Sequence, residues 1–499
     1  MKRSLAIVFL VFVFFASAAA QQGAERDFRP EIPRTWDEQK LATFELPLAP
    51  PAPQVSFPSA EYYYSIPARK PFQTYPVYAP GKEPEGYLEG LFGKEPAVAF
   101  DADRLKTKQD WIAAGRVIFE SGGSAVLKAA TAEPLRGTIQ AMTGHYKVPV
   151  AADGTVPHFR YAIEKKGEVQ IVGFMCVTCH ARVMPDGVVI YGAQSNMPVA
   201  AAVPPKGFDK SLITLLWSVP WLSPDPVDAV LALDGGEQAA TAAAMPPGVL
   251  PRIARSFTHP VQIPSLIGVK GRRYLDWTGL RQHRDIGDLM RYASFTADMD
   301  GLIQYGDFIP AADARGIHGR LPDAAKRQRW SDEQLYALAL YLHSLEPPPN
   351  PNQPGELSRR GEKIFEREGC GMCHAAPIHT NNKLTPVKGF KVPPEHREKF
   401  DIVDVVVGTD PTVALKTRGG TGYYRVPSLE GLWYRGTYEH NGSVATLEDW
   451  FDPARLRDDY VPTGYKGFGK TSRAVEGHEF GLRLSAADKQ ALIAFLKTL

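Results

Sequence analysis

Two short stretches contain all four cysteines of this chain. They read Cys176-Val177-Thr178-Cys179-His180 and Cys370-Gly371-Met372-Cys373-His374. Each follows the Cys-x-x-Cys-His pattern for covalent attachment of c-type haem, in which two thiols bond the porphyrin edge and the histidine binds the iron from one side. The alternatives are two Cys-x-x-Cys redox pairs, or one zinc site that uses all four cysteines. A histidine directly after both pairs favours two covalently bound c-type haems, with His180 and His374 as iron ligands.

The start of the chain has the pattern of an export signal. Residues 1–3 are basic, residues 5–15 are apolar, and residues 18–20 are the small alanines that a signal peptidase requires. The apolar run is short for a membrane span and no later stretch provides one, although an uncleaved anchor is the alternative. We therefore expect a signal peptide over 1–20 and no membrane span after its removal. Because bacterial c-type haem is attached outside the cytoplasmic membrane, we expect a periplasmic or secreted protein.

Length and composition indicate a large protein with many irregular connections. A chain of 499 residues with 44% hydrophobic content can form two or three packed domains. Lys plus Arg at 57 nearly balance Asp plus Glu at 55, so no nucleic-acid partner is indicated. The 43 prolines and 44 glycines favour long loops between rather few regular elements. We predict a proline-rich N-terminal arm over 21–104, either extended over the surface or a flexible linker.

Four landmarks recur in the same order in the two halves of the chain. Besides the haem motifs, Gly115–Glu120 matches Gly361–Glu366, Ile263–Gly268 matches Val426–Gly431, and Ser331–Leu338 matches Ser485–Leu492. The separation between matched landmarks only shrinks along the chain. The sequence therefore predicts a mainly α fold with much irregular loop, in which two cytochrome c-type domains lie in tandem over 105–350 and 351–499.

The first predicted domain is enlarged by insertions on both sides of its haem motif. One of them contains segments 158–163 and 168–172, which alternate around Lys165-Lys166-Gly167 and predict a β-hairpin. Each domain is predicted to close with a helix that Ser331 or Ser485 caps. Because insertions flank only the first haem motif, we place the reaction pocket at the first haem.

The ligand on the far side of each iron decides between a reactive haem and an electron-transfer haem. Met372 is the last methionine, so no downstream methionine can bind the second iron. Four histidines follow the second motif, namely His379, His396, His440 and His478. We predict His478 as the ligand because it directly precedes the closing helix. His440 is the second choice, and a structural role is the alternative for any of them.

The first haem has no evident second ligand. After His180 the next histidine is His259, and the candidates Met184 and Met197 fit the pocket wall better than the iron. We therefore expect this iron to be open or weakly ligated. In the repeat, Trp277 takes the place of His440, so its ring could carry an electron between the haems. A buried core tryptophan is the alternative interpretation.

The second half also carries a family resemblance. Val426-Pro427-Ser428-Leu429 followed by 438–448 (YEHNGSVATLE) resembles the signature of the bacterial dihaem cytochrome c peroxidase superfamily, which includes the methylamine-utilisation dihaem enzyme. The resemblance covers roughly residues 105–499. It implies that Trp277 matches a tryptophan between the haems, and calcium between the domains is possible by analogy, although no ligand loop stands out.

The chain departs from the peroxidase pattern in three respects. No histidine closely follows the first motif, no methionine follows the second, and no glutamate follows Trp277 at the spacing of the peroxidase acid; the nearest acids are Asp298 and Asp300. The wide separation of the motifs, the proline-rich N-terminal region and Gly477-His478-Glu479-Phe480 resemble the dihaem rubber oxygenases. In those proteins dioxygen cleaves polyisoprene at the N-terminal haem, and the second haem is bis-histidine.

Three hypotheses follow. The first is an exported oxidoreductase that activates peroxide or dioxygen at the first haem while the second haem relays or stores electrons, with a small electron-transfer protein or a small molecule as partner. The second is a rubber-oxygenase-like dioxygenase for an apolar alkene, with a pocket built partly from Met290, Tyr292 and Phe295. The third is a non-enzymatic electron-transfer cytochrome.

Overall fold

The computed structural model describes residues 28–204 and 206–499, so the predicted signal peptide lies outside the described residues. The secondary structure is mixed, about 33% helix and 13% strand. Helix therefore predominates, but the predicted mainly α fold is corrected to a mixed α/β fold. No helix in the described part of the chain is long and apolar enough to cross a membrane.

Most helices are short, and the longer ones include the four that lie at repeat landmarks, Lys108–Phe119, Asp332–His343, Glu356–Arg367 and Ala486–Leu496. In chain order they are α1 Glu38–Leu41, α2 Ala60–Ser65, α3 Tyr87–Phe92, α4 Lys108–Phe119, α5 Ala132–Gly144, α6 Cys176–Cys179, α7 Lys210–Trp217, α8 Asp228–Leu231, α9 Gly235–Ala243, α10 Ile286–Thr296, α11 Pro310–Asp313, α12 Asp332–His343, α13 Glu356–Arg367, α14 Pro394–Lys399, α15 Thr412–Leu415, α16 Leu447–Trp450 and α17 Ala486–Leu496. Short 3-10 turns lie at Ala102–Arg104, Val199–Ala202, Val269–Gly271, Met299–Leu302, Ala324–Lys326, Cys370–Met372 and Pro453–Leu456.

The strands are also short, except for one hairpin. They are β1 Val55–Ser56, β2 Thr74–Tyr78, β3 Ser124–Ala129, β4 Thr155–Lys165, β5 Glu168–Gly173, β6 Ala181–Val183, β7 Val189–Tyr191, β8 Val249–Leu250, β9 Val261–Gln262, β10 Tyr274–Leu275, β11 Arg281–Gln282, β12 Gln304–Tyr305, β13 Leu384–Pro386 and β14 Tyr423–Arg425. Strands β2, β4, β5 and β3 form a sheet in that order, and the others pair two by two.

Two helix pairs have the same packing in the two halves of the chain. Helix α4 crosses α12 at Gly115, where an added Cβ would lie 2.6 Å from the carbonyl carbon of Ala337. Helix α13 crosses α17 at Gly361, where an added Cβ would lie 2.6 Å from the carbonyl carbon of Ala491. Since these residues occupy matched positions of the sequence repeat, both halves use a glycine to let two helices approach closely.

The closing helices begin where the sequence predicts. The Ser331 hydroxyl accepts a hydrogen bond from the backbone N–H of Gln334, whose side chain bonds back to the Ser331 N–H. The Ser485 hydroxyl accepts from the backbone N–H of Asp488. Both caps satisfy N–H groups that a helix start leaves without partners.

The segment between 155 and 173 forms an antiparallel pair, β4 with β5, in which Tyr161 lies opposite Ile171. One face of this sheet packs on α5 through Leu135 and Ile139, which are buried with Tyr161 and Ile171 in one apolar cluster. The sheet takes its edge strand β2 from the N-terminal region.

The N-terminal region is part of the core rather than only an arm on the surface. The Trp36 ring is fully buried and stacks on Tyr63 at 4.4 Å between ring centroids. It also contacts Phe295 of α10 at 5.1 Å. The part of the N-terminal region around Trp36 therefore belongs to the core. The predicted domain limits stay a prediction.

Candidate haem sites

The first Cys-x-x-Cys-His motif forms a single helical turn. The backbone N–H of His180 donates to the carbonyl of Cys176 at 2.9 Å, which closes the turn α6. Burial raises the pKa of the Cys176 thiol to about 12 and that of Cys179 to about 11. Both cysteines are free, and such protonated thiols are unlike the low-pKa thiolates of redox-active cysteine pairs. The redox-pair interpretation therefore loses support at this motif.

The β-hairpin holds the first motif in place. The Thr178 hydroxyl donates to the backbone carbonyl of His158 on β4 at 2.8 Å. The His158 ring bonds through Nε2 to the carbonyl of Ala181 at 3.0 Å. The inserted segment thus positions the residues on both sides of His180.

The His180 ring is suited to metal ligation because it is neutral. Burial lowers its pKa to about 3, with the cations Arg252 and Arg272 as further causes and the carbonyl of Pro264 acting against them. Neutral imidazole is the form that binds a metal ion. The ring nitrogen Nδ1 is buried, and the backbone carbonyl of Pro264 lies near the ring.

The second motif differs in its local fold but keeps the same chemistry. It forms a 3-10 turn over Cys370–Met372, closed by the His374 N–H on the carbonyl of Cys370 at 2.8 Å. The Nδ1 atom of His374 lies 3.2 Å from the carbonyl of Pro427, which is the repeat counterpart of Pro264. A donor bond from Nδ1 to a backbone carbonyl leaves Nε2 for a metal ion and fixes the ring orientation. Burial lowers the pKa of His374 to about 4.

The structure places His478 beside His374. Their ring centroids are 6.3 Å apart with planes at 52°. A metal ion bonded to two imidazoles at about 2 Å each sets ring centroids about 6 Å apart. Burial, followed by the nearby His374, lowers the pKa of His478 to about 3. The predicted pair of ligands therefore has the separation that a bis-histidine site requires.

One arginine and two aromatic side chains fix the loop that carries His478. Arg455 donates from its guanidinium nitrogen Nη2 to the backbone carbonyls of Gly477 and His478, each at 2.9 Å. The His478 ring lies between Trp450 and Phe480, at 5.1 and 5.3 Å between centroids. This packing presents the imidazole to His374 in a fixed orientation.

The second candidate, His440, lies elsewhere. Its ring stacks on Tyr424 at 4.5 Å with planes at 27°. Its Nδ1 lies 3.3 Å from the Glu439 carboxylate. Among the described rings it has no contact with His374, so the geometry favours His478 over His440.

Trp277 lies where the two halves of the chain meet. Its Nε1 donates to the carbonyl of Gln262 at 2.6 Å, and the backbone N–H of Gln262 donates to the carbonyl of His440 at 2.7 Å. Its own carbonyl accepts from the N–H of Arg425, whose guanidinium lies 5.3 Å from the indole. The relay role of Trp277 stays a prediction.

The loops that carry Trp277 and His440 have the same backbone shape. Leu275 pairs with Arg281 in the first loop, and Tyr438 pairs with Val444 in the second. In both loops the residue before the ring is an acid in the left-handed region, since Asp276 has φ 67° and Glu439 has φ 69°. The repeat therefore extends to a strained conformation that non-glycine residues rarely adopt.

A buried charge cluster near His180 was not predicted from the sequence. Asp276 is bonded to Arg252 and accepts from the Tyr292 hydroxyl at 3.1 Å. Arg281, which is 2% exposed, binds Glu45 at 2.7 Å and also Asp300. Burial raises the pKa of Glu45 above its ordinary value. Of Asp298 and Asp300, the two acids noted in the sequence for the missing peroxidase glutamate, Asp300 joins this cluster.

The other of those two acids, Asp298, lies apart. It binds Arg327 at 2.9 Å, and burial raises its pKa. Glu45 gives no sequence signal, because it lies in the proline-rich region far from the motifs. Asp276 could have been noted, because it directly precedes Trp277.

Arg272, Arg425 and Arg435 form no ion pair with a carboxylate among the described residues. Arg272 donates to the carbonyl of Ser265 at 2.5 Å, and its repeat counterpart Arg435 donates to that of Ser428 at 2.9 Å. Burial lowers the pKa of Arg272 to about 9, with Arg425 and Arg435 as further causes. Buried cations require compensating anions, and a haem brings two propionate carboxylates. These arginines therefore suit a site that holds a haem with its two propionates.

The pocket and wall residues predicted from the sequence pack in apolar clusters. Met290 and Phe295 are fully buried in two apolar clusters, and Tyr292 packs against both clusters, so the alkene pocket stays a prediction. Met184 and Met197 pack against apolar clusters, as expected for wall residues.

No group of three or more His, Cys, Asp or Glu suited to a metal ion occurs among residues 28–204 and 206–499, so neither the four-cysteine zinc site nor an acidic calcium site is formed there.

Comparison with known proteins gives relatives of low identity. The chain is 30% identical over 159 residues to hydrazine synthase subunit gamma of Kuenenia stuttgartiensis, covering 27% of this chain and 44% of that protein. It is 27% identical over 161 residues to cytochrome-c peroxidase IdrP1 of Pseudomonas sp. (strain SCT), covering 28% of this chain and 39% of that protein. The match thus spans less than half the length of either curated relative.

A solved structure, the diheme peroxidase BthA of Burkholderia thailandensis E264, matches at 17% identity over 63% of this chain and 91% of that chain. Its TM-score of 0.24 is too low to show a common fold. No protein-family model matches the chain. The curated relatives are consistent with the dihaem cytochrome c peroxidase superfamily, and they confirm the resemblance that the sequence motifs indicate.

Proposed function

We propose that this chain is an exported dihaem c-type cytochrome oxidoreductase that activates peroxide or dioxygen at the haem of His180, while the haem of His374 relays or stores electrons. The observation that carries the proposal is the asymmetry between the two motifs. His374 faces a second imidazole at 6.3 Å between centroids, whereas His180 has no ring partner among the described residues.

The residues around His374 build a closed electron-transfer site. His374 and His478 are half-buried, burial lowers the pKa of each imidazole, and each ring is oriented by backbone or aromatic contacts. An iron with two protein ligands mainly transfers electrons, whereas an iron with a free position binds peroxide or dioxygen. The second motif therefore suits storage or relay of electrons.

The residues around His180 suit a reactive site with nearby acid–base groups. Arg252 lies close enough to lower the pKa of His180, and it is paired with Asp276. Asp276 lies 4.0 Å from Arg281, which holds Glu45. Burial raises the pKa of Glu45, and its ion pair with Arg281 acts against that rise. Glu45 is thus the candidate, from another part of the chain, for the acid that is missing after Trp277.

Trp277 supports electron passage between the two sites. Its ring is fixed by Gln262 and Arg425, which come from the first and the second half of the chain. An indole in that position shortens the distance that an electron must cross. The name of the peroxidase relative agrees with this chemistry.

The rubber-oxygenase-like dioxygenase is the second candidate. It is favoured by the placement of His478, within Gly477–Phe480, beside His374, since a bis-histidine second haem is what that resemblance implies. Tyr292 packs against both clusters that contain Met290 and Phe295, and the specific apolar pocket for this candidate stays a prediction. The third hypothesis, a plain electron carrier, predicts two filled irons.

Optical and EPR spectra of the haem-loaded protein test the proposal. One high-spin and one low-spin haem are expected, and only the high-spin haem should react when the reduced protein meets dioxygen or the resting protein meets peroxide. The reagent that reacts chooses between oxygenase and peroxidase. If both haems are low-spin and neither reagent changes the spectrum, the protein is an electron carrier and the proposal fails.

Three histidine variants assign the two haems. His478→Ala should convert the low-spin haem to high-spin and leave the other unchanged. His440→Ala, the variant of the second candidate ligand, should leave both spectra unchanged. His318→Ala, whose side chain is 71% exposed, is the control for a histidine without a haem role. An unchanged spectrum for His478→Ala would contradict the ligand assignment.

A further inference from the structure

A cavity of about 510 Å³ lies between the two halves of the chain, apart from both haem motifs. One wall comes from the segment inserted after the first motif, including Leu222 and Pro226, and the other from the second half, including Val413 and Phe468. None of the motif cysteines and histidines lines it, and neither does His478. Its volume is that of a small-molecule site, and these four residues give it an apolar surface.

The inner part of the cavity has hydrogen-bonding groups. The hydroxyl of Thr258 lies 3.1 Å from Nδ1 of His259 and 3.0 Å from the hydroxyl of Ser256. The second ring nitrogen of His259, Nε2, has no hydrogen-bond partner in the described part of the chain. The Tyr465 hydroxyl is already used, since it donates to the Thr258 carbonyl at 2.9 Å. His259 therefore has an unused polar atom on a half-buried ring that borders the cavity.

The charges around the cavity are unbalanced. Lys416, Lys470 and Arg473 line it together with a single carboxylate, Asp410. The two lysines are exposed and form no ion pair among the described residues, and Arg473 bonds only backbone carbonyls and the Ser443 hydroxyl. The cavity therefore has three cations that no protein anion neutralises fully.

Asp410 stays ionised but does not remove this excess. Burial alone would raise its pKa, but hydrogen bonds from Thr412 and the nearby His440 and His259 lower it. One carboxylate oxygen accepts from the backbone N–H of Thr412 at 2.9 Å. Because Asp410 is committed to this helix start, the lysines remain available to a ligand.

We propose that this cavity binds a small organic anion, such as a monocarboxylate with an aromatic or branched carbon skeleton. The skeleton packs on Val413, Phe468 and the inserted wall, and the carboxylate faces Lys416 and Lys470. The proposal goes beyond the proposed function, because it requires no particular chemistry at either haem.

Calorimetric titration of the haem-loaded full chain with sodium benzoate tests the proposal. Saturable binding of benzoate is expected, and benzyl alcohol, which keeps the ring but lacks the charge, should bind at least about fivefold more weakly. The double variant Lys416→Gln, Lys470→Gln should weaken benzoate binding by about fivefold or more. The matched control is Lys388→Gln, Lys391→Gln, which changes two exposed lysines that do not line the cavity.

A wall variant and the haem spectrum locate the bound anion. Ala229→Trp, at an exposed part of the inserted wall, should weaken binding of both benzoate and benzyl alcohol by filling the cavity. The haem spectrum should not change on binding. Three results would each overturn the proposal: no saturable benzoate binding, equal binding of benzyl alcohol, or benzoate binding that shifts the haem spectrum and survives the double lysine variant.

Discussion

A single methyl group at Gly361 should weaken the second half of the chain. The added Cβ would lie 2.6 Å from the carbonyl carbon of Ala491 and 2.8 Å from Cβ of Phe495. Carbon atoms normally approach to about 3.5–4.0 Å, so the two helices would have to separate by about 1 Å. The obstacle is backbone, which cannot rotate away as a side chain can.

The size of the effect follows from two opposing terms. Overpacking costs about 1–3 kcal/mol, and the backbone clash on α17 places Gly361→Ala near the upper end. A change from glycine to alanine inside a helix returns about 1 kcal/mol of helix propensity. We therefore expect a net loss of about 2 kcal/mol in the free energy of unfolding.

Denaturant unfolding followed by circular dichroism and by haem absorbance measures this loss. Gly115→Ala, at the matched crossing of α4 and α12, should lose a similar amount and perturb the first haem rather than the second. Gly137→Ala in α5 is the control, because no atom lies within 4 Å of its added Cβ. It should gain up to about 1 kcal/mol. If Gly361→Ala is as stable as Gly137→Ala, the close helix crossing is wrong.

Three further predictions address the acid sensitivity, the N-terminal region and the haem attachment. Burial lowers the pKa of His158 to about 4. Above pH 6.5 the ring is neutral in both the folded and the unfolded chain, so it does not change the free energy of unfolding. As the pH falls from 6.5 to 4, the unfolded chain binds a proton that the folded chain does not, and the free energy of unfolding falls by about 3 kcal/mol. His158→Gln should flatten the fall of unfolding free energy over that pH range, and a slope equal to the wild type would contradict this. Glu45→Gln should destabilise the chain by about 3 kcal/mol and speed proteolysis of the N-terminal region, because Arg281 loses one buried carboxylate; the exposed Glu95→Gln should do neither. The double variant Cys370→Ala, Cys373→Ala, which removes both thiols of the second motif, should leave one haem extractable by acidified solvent and the other covalently bound, whereas retention of both after extraction would contradict attachment at this motif.

The sequence alone predicted those features that depend on local patterns of residues. The haem motifs and the capping serines Ser331 and Ser485 act through neighbours within a few residues. The choice of His478 over His440 was also made from local context, and the structure places His478 beside His374. That choice rested on the closing helix, not on any knowledge of distance.

Other features were missed because they depend on contacts between distant segments. Nothing near Glu45 indicates that it meets Arg281, and nothing near Trp36 indicates that it enters the core against Phe295. Met290, Tyr292 and Phe295 were predicted to belong to one apolar pocket. In the structure Met290 and Phe295 lie in different apolar clusters, and Tyr292 packs against both.

The sequence by itself determined the two Cys-x-x-Cys-His motifs, the order of the repeated segments and the starts of the closing helices, because these depend on residues joined by short stretches of backbone. Only the tertiary structure decided which imidazole lies beside His374, which carboxyl joins the charge cluster near His180, and where a cavity opens between the halves. Those outcomes depend on burial of apolar surface by segments far apart in the chain, and no local pattern records which segments will meet.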